Sequence, residues 1–158
     1  VSTTFDIPAI FDTLNRHGVR YLVIGGVAAQ AYGHTRTTMD LDLMVAVEQR
    51  DRVALAQALA ELAAAVRGPN RGKAIDVTDS QMLALGKVYQ LATKYGDLDV
   101  FTGTVPGAAP FDELLDRATI VTLGSTDLPI VGLDDLIAMK RASGRPRDLA
   151  DIDALTQL

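Results

Sequence analysis

Arg20-Tyr21-Leu22-Val23-Ile24-Gly25-Gly26, followed after thirteen residues by Asp40-Leu41-Asp42-Leu43-Met44-Val45, organises the reading of the whole chain. Arg20 to Ile24 reads as a short buried strand, Gly25-Gly26 breaks it, and Val27 to Tyr32 continues as an alanine-rich helix closed by Gly33. From Met39 to Val47 the pattern alternates. Leu41, Leu43, Val45 and Val47, with Met39, share one face of a strand, and Asp40 and Asp42 share the other. Two aspartates at i and i+2 stand about 6.5 to 7 Å apart at their α-carbons, close enough for both carboxylates to hold one hard cation.

Working outward, Ile7 to His17 carries Ile7, Ile10, Phe11 and Leu14 at helical spacing, with Pro8 in the first turn and Gly18 as the stop. A second helix is expected from about Gln49 to Val66, with Leu55, Leu59, Leu62 and Val66 as its core stripe. A loop from Gly68 to Gly72, containing Pro69 and Arg71 and followed by Lys73, leads toward two strands, Val88 to Thr93 and Leu98 to Thr102, around a turn at Lys94 to Asp97. Leu98 and Val100 would bury one face of the second strand and leave Asp99 on the other, which makes Asp99 the third candidate carboxylate. Asp97 has the same parity but falls at the turn, and is the fallback. A glycine- and proline-rich loop (Gly103 to Pro110) precedes a short helix at Phe111 to Arg117 and short strands around Ile120 to Leu123 and Leu128 to Val131. Two last helices, about Asp134 to Ser143 and Arg147 to Leu158, are separated by Gly144-Arg145-Pro146.

With 158 residues the chain fits a single domain, 1–158, with a core at about 20–102 and a helical closure at about 132–158. It contains no cysteine, which excludes disulfides, thiolate metal sites and a thiol nucleophile. No signal-peptide pattern and no apolar run of roughly 18 residues occurs, so a cytoplasmic protein without a membrane span is expected. The formal charge of −5 argues against a generally basic nucleic-acid surface, but Lys140, Arg141, Arg145 and Arg147 concentrate positive charge near the C-terminus.

Glycines at a strand-to-helix turn let phosphate oxygens approach backbone amides at a positive helix end. Gly25-Gly26 alone is a weak signal, since neither a GxGxxG nor a Walker-type loop is present, and paired acids on an exposed strand are often simply solvated. Together with the acids, it describes a nucleoside triphosphate site. Ile24-Gly25-Gly26, the thirteen-residue spacer, Asp40-Leu41-Asp42-Leu43 and Leu98-Asp99-Val100 resemble, in order and spacing, the nucleotidyltransferase superfamily that includes DNA polymerase beta. The wider wording, Gly25-Gly26-Val27-Ala28 with Arg36-Thr37-Thr38-Met39-Asp40-Leu41-Asp42, resembles the abortive-infection AbiEii-type nucleotidyltransferase toxins.

That resemblance implies an α+β, minimal nucleotidyltransferase fold: a mixed, twisted sheet covered by helices on one side, with two C-terminal helices closing the cleft. It implies Asp40, Asp42 and Asp99 as catalytic and metal-binding residues for Mg2+, with Mn2+ as an alternative, and Gly25 and Gly26 as the phosphate cradle. Lys140, with the ending Gly144-Arg145-Pro146-Arg147-Asp148-Leu149-Ala150-Asp151, is similar to the group's later lysine and aspartate, and would contact the triphosphate. Arg36 would clamp a phosphate and Thr38 would bond near the metal strand. Asp148 or Asp151 would organise Lys140 or Arg147 through surface ion pairs. His17 and His34 read as structural or solvent-facing, and Tyr32, Tyr89 and Tyr95 as core or rim. The implied reaction transfers a nucleoside monophosphate from an NTP to a hydroxyl of RNA such as tRNA, or of a protein, with a cognate toxin–antitoxin partner. The alternative is a non-catalytic nucleotide-binding or toxin-neutralising protein of the same fold.

Overall fold

In the computed structural model, which describes residues 5–68, 76–83 and 86–158, the opening helix α1 spans Ile7–Arg16. The side chain of Asp6 accepts a hydrogen bond from the amide of Ala9 and so satisfies one of the helix's free N–H groups, and Ile10, Phe11 and Leu14 are buried. Strand β1 (Tyr21–Ile24) is buried at all four positions. Helix α2 (Gly25–Ala31) begins on the glycine pair itself, two residues earlier than the alanine run suggests. Strand β2 (Asp40–Val45) follows, and Met39 lies outside it, 70% exposed rather than on the apolar face.

Helix α3 (Gln49–Glu61) opens with a reciprocal cap between Glu48 and Asp51. It ends before the expected Val66. Ala63 adopts φ +53° and the amides of Ala63 and Ala64 return to the carbonyls of Ala60 and Leu59, the hydrogen-bond pattern that closes a helix with a left-handed residue. Leu55, Leu59 and Leu62 keep their core positions, whereas Val66 moves into a short strand, β3 (Ala65–Val66). The expected loop through Pro69, Arg71 and Lys73 falls outside the described residues. Strands β4 (Val88–Thr93) and β5 (Gly96–Phe101) form the hairpin, followed by α4 (Phe111–Asp116), β6 (Thr119–Leu123), β7 (Thr126–Ile130), α5 (Leu133–Ser143) and α6 (Pro146–Thr156). Asp97 is thus inside β5 and not at its turn.

The sheet has the order β3-β4-β5-β2-β1-β7-β6 and is mixed, with β2–β5 and β1–β7 parallel and the remaining pairs antiparallel. Its register separates two faces. Tyr21, Val23, Leu41, Leu43, Leu98 and Val100 point to one, where Phe11 of α1 stacks on Tyr21 at 5.5 Å and α1 meets α3. Ile24, Asp40, Asp42, Asp99, Gln90 and Phe101 point to the other. There α5 packs on α2, and α6 on α5, so the two C-terminal helices border a cleft over the acids. The apolar side chains of β2 and β5 thereby anchor the strands, leaving the alternate positions free for chemistry.

Candidate active site

Asp42 and Asp99 are register partners across the parallel β2–β5 pair, and Asp40 is the next residue of that face on β2. Each of the three carboxylates offers an oxygen within 4.8 Å of the others. Burial pushes the Asp42 carboxyl up to about 8, with the negative charges of Asp40 and Asp99 adding to the effect. Asp99 is also raised by burial, although the neighbouring Arg67 guanidinium opposes the shift. Asp97 shares the face but stands opposite Asp40, half exposed, with Arg67 Nε at 3.5 Å. The geometry therefore groups Asp99, and not Asp97, with the β2 pair.

The glycine turn is built against these acids. Gly25 has φ +69°, a conformation that other residues adopt with strain, and a Cβ there would overlap Asp42 Oδ2. A Cβ on Gly26 would stand 2.9 Å from Thr38 Oγ1 and 3.4 Å from Arg36 Nη2. Thr38 Oγ1 lies 3.2 Å from Asp40 Oδ1, linking the turn to β2. Gly25, Gly26, Arg36, Thr38, Asp40, Asp42, Asp99 and Lys140 all border one cavity of about 650 Å³.

Sequence reasoning missed the arrangement of the cations. Asp151, 1% exposed, accepts both arms of Arg36 (Nε to Oδ1 2.9 Å, Nη2 to Oδ2 3.0 Å), lies 2.8 Å from Lys140 Nζ, and meets His34 Nε2 at 2.9 Å. Burial opposes its charge, but Lys140, Arg36 and His34 outweigh burial and hold its carboxyl down at about 2. Asp148 is buried as well, bonded by Arg145 and Ser143, with Lys140 Nζ at 3.7 Å. The expectation of surface pairs is corrected. Lys140 is only 5% exposed, and its pairs with both aspartates are interior ones because α5 and α6 pack against each other. His34 is likewise a member of this cluster and not an isolated ring. Arg147 borders the cavity. Tyr32 donates from its hydroxyl to the Val131 carbonyl at 2.7 Å and Tyr89 to that of Met82 at 3.0 Å, so both serve as internal ties.

Arg67 is the other residue without a warning in the sequence, because it follows a helical stripe that gives no sign of stopping. Its Nη1 donates to the Leu91 carbonyl at 2.9 Å and stands 2.7 Å from Asp99 Oδ1, an ion pair off the axis of a hydrogen bond. The acid set contains only hard carboxylate oxygens, gathered within 4.8 Å of one another, so these side chains fit a divalent cation of the Mg2+ or Mn2+ kind. Beside them lie a positive helix start and two cations, a combination suited to a phosphate chain.

A family model described as nucleotidyl transferase AbiEii toxin, type IV toxin–antitoxin system, matches residues 13–157. Among solved structures, the chain is similar to a protein of Thermotoga maritima provisionally assigned as a nucleotidyltransferase, with 13% identity and a TM-score of 0.57 over 96% of this chain and 90% of that one. It is also similar to an antigenic nucleotidyltransferase-like protein of Paracoccidioides brasiliensis, with 16% identity and a TM-score of 0.55 over 94% of this chain and 72% of the other. At such identities the two structures speak for the fold. A search of curated proteins returns no match. Among the described residues, no helix is long and apolar enough to cross a membrane.

Proposed function

Since the chain belongs to the AbiEii family of nucleotidyl transferase toxins, we propose that it moves a nucleoside monophosphate from an NTP to an acceptor hydroxyl in the cytoplasm. The convergence of Asp40, Asp42 and Asp99 beside the Gly25-Gly26 turn carries this reading. Asp40, Asp42 and Asp99 would hold Mg2+ or Mn2+, which when bound offsets phosphate charge and orients an in-line displacement at phosphorus.

The residues of the chain divide the remaining work. Gly25 and Gly26 leave room for the phosphates against the start of α2, and Thr38 keeps Asp40 turned toward the cavity. Lys140 and Arg36, both tethered to Asp151, present positive charge to the β and γ phosphates. Asp99 takes the proton of the acceptor hydroxyl as that oxygen bonds to the α phosphorus. The bond from the α phosphorus to its bridging oxygen breaks, and pyrophosphate leaves with the electron pair. RNA such as tRNA, or a protein hydroxyl, is the acceptor class in this proposal, with a cognate antitoxin as partner.

The test is pyrophosphate release from each NTP with Mg2+ or Mn2+, in the presence of total RNA or total protein, compared with Asp42→Asn. Release that needs Asp42, with label passing to one class of acceptor, is the expected outcome. Nucleotide binding without release under any of these conditions would instead favour the non-catalytic member of the same fold.

A further inference from the structure

One row of the sheet runs from the β3 edge into the acid cluster. The amide of Arg67 donates to the Gln90 carbonyl at 3.0 Å, Gln90 is the register partner of Asp99, and Asp99 is that of Asp42. Because side chains across a row share a face, the backbone delivers the Arg67 side chain to the acid side of the sheet. Its guanidinium is pinned at one arm by the Leu91 carbonyl. From there it reaches Asp99 Oδ1 at 2.7 Å, Asp97 Oδ2 at 3.5 Å and Asp40 Oδ2 at 3.8 Å. One cation thus touches two of the three clustered carboxylates, together with the fourth acid that lies just outside the cluster. It is only partly exposed, with 24% of its side chain open to solvent.

We propose that Arg67 is a positioning residue: it fixes the Asp99 carboxylate by engaging one of its oxygens, leaving the other directed at the metal, and it balances the charge of the acids. The proposal rests on the acid cluster being the metal site. Two properties of the side chain do different jobs. Its charge lowers the affinity of the cluster for a divalent cation, since like charges compete for the same carboxylates. Its planar, many-donor shape sets the orientation of Asp99, which a lysine ammonium cannot reproduce while also holding the Leu91 carbonyl. Partners of this kind around a ligand typically affect affinity or activity by about 10- to 100-fold.

The experiment measures Mn2+ binding by titration, the Mn2+-induced rise in melting temperature, and kcat and KM, for the wild-type chain, Arg67→Met and Arg67→Lys. Arg67→Met should melt at lower temperature without metal, bind Mn2+ more tightly, gain more from it on melting, and yet turn over at least about tenfold more slowly with the KM for nucleotide little changed. Arg67→Lys, which keeps the charge, should retain wild-type Mn2+ affinity and still be slow. A purely structural arginine would lower the melting temperature and leave affinity and kcat untouched, and that result overturns the proposal. So does an Arg67→Lys variant with full turnover. Asp99→Asn separates the two levels of the argument: if it and the wild-type chain both fail to bind Mn2+, the metal-site reading falls and Arg67's role with it. If the wild-type chain binds and Arg67→Met matches it in affinity and kcat, only the role of Arg67 is lost.

Discussion

The α-carbon of Gly25 lies against the carboxylate of Asp42, so that a Cβ at position 25 would stand 2.9 Å from Asp42 Cγ and overlap its Oδ2. The strand end that would receive phosphate and the acid that would hold metal are therefore in direct contact. Gly25→Ala is expected to lose about 1 to 3 kcal/mol of stability from backbone strain alone. It should also push Asp42 out of line, reducing Mn2+ affinity and turnover together. Gly18→Ala is the control, because it has a positive φ but nothing within 4 Å of the added methyl. It should melt lower and keep its metal affinity.

Asp42 gives the metal-free protein a definite pH dependence. Its carboxyl is raised from the ordinary 3.8 to about 8, so its contribution favours the fold at low pH and is lost as the pH rises through about 8. Melting temperatures in chelator should fall from pH 5 to pH 9 for the wild-type chain and fall less for Asp42→Asn. Saturating Mg2+ should reverse the order, since a bound cation favours the ionised group. Parallel curves in chelator would refute the assignment.

Asp40→Asn and Asp42→Asn should each lose transferase activity by several orders of magnitude while remaining folded, because in the proposed mechanism each removes a charge that would hold the metal. Asp99→Asn should still bind nucleotide and fail in the chemical step, whereas Asp97→Asn, outside the cluster, should be mild. Steady-state kinetics alongside nucleotide binding distinguishes these outcomes. A reversal between positions 97 and 99 would transfer the third role to Asp97.

Lys140→Met should weaken nucleotide affinity and slow transfer together, and Lys140→Arg should recover part of both. Arg141→Ala, if that side chain guides an RNA acceptor, should change acceptor affinity and its salt dependence with nucleotide binding intact. Titration of a non-hydrolysable nucleotide with Mg2+ decides the matter. Unchanged affinity in Lys140→Met would move the triphosphate contact elsewhere.

Asp151→Asn removes the shared partner of Arg36, Lys140 and His34, and the interior cations left without their acid should cost about 3 to 5 kcal/mol. Chemical denaturation measures it. A loss below about 1 kcal/mol would place Asp151 among ordinary surface pairs.

The acid strand was readable because Asp40-Leu41-Asp42-Leu43 alternates strictly, and Asp99 because Leu98 and Val100 fix its parity. The glycine turn was readable from its place between a strand and a helix. The end of α3 was not, because Ala63 occupies the left-handed position that a glycine would have advertised, and the hidden boundary concealed Arg67. Asp151 could be singled out in sequence, but its grip on Arg36 spans 115 positions, and no local pattern encodes such a contact. Burial of Lys140 was hidden for the same reason: a lysine at the head of a basic segment reads as solvated until α6 is laid beside it.

That 115-residue span also bears on timing during synthesis. A ribosome-bound chain can present Gly25, Gly26, Asp40 and Asp42 early, but the Asp99 strand must then pair in parallel beside β2, and Arg36 has no interior counter-charge until Asp151 emerges. Contacts so distant in sequence form late. The acid strand and the cationic wall therefore come together only once Asp151 has emerged, so a growing polypeptide that has not yet exposed it carries the glycine turn and the β2 acids without an assembled cleft.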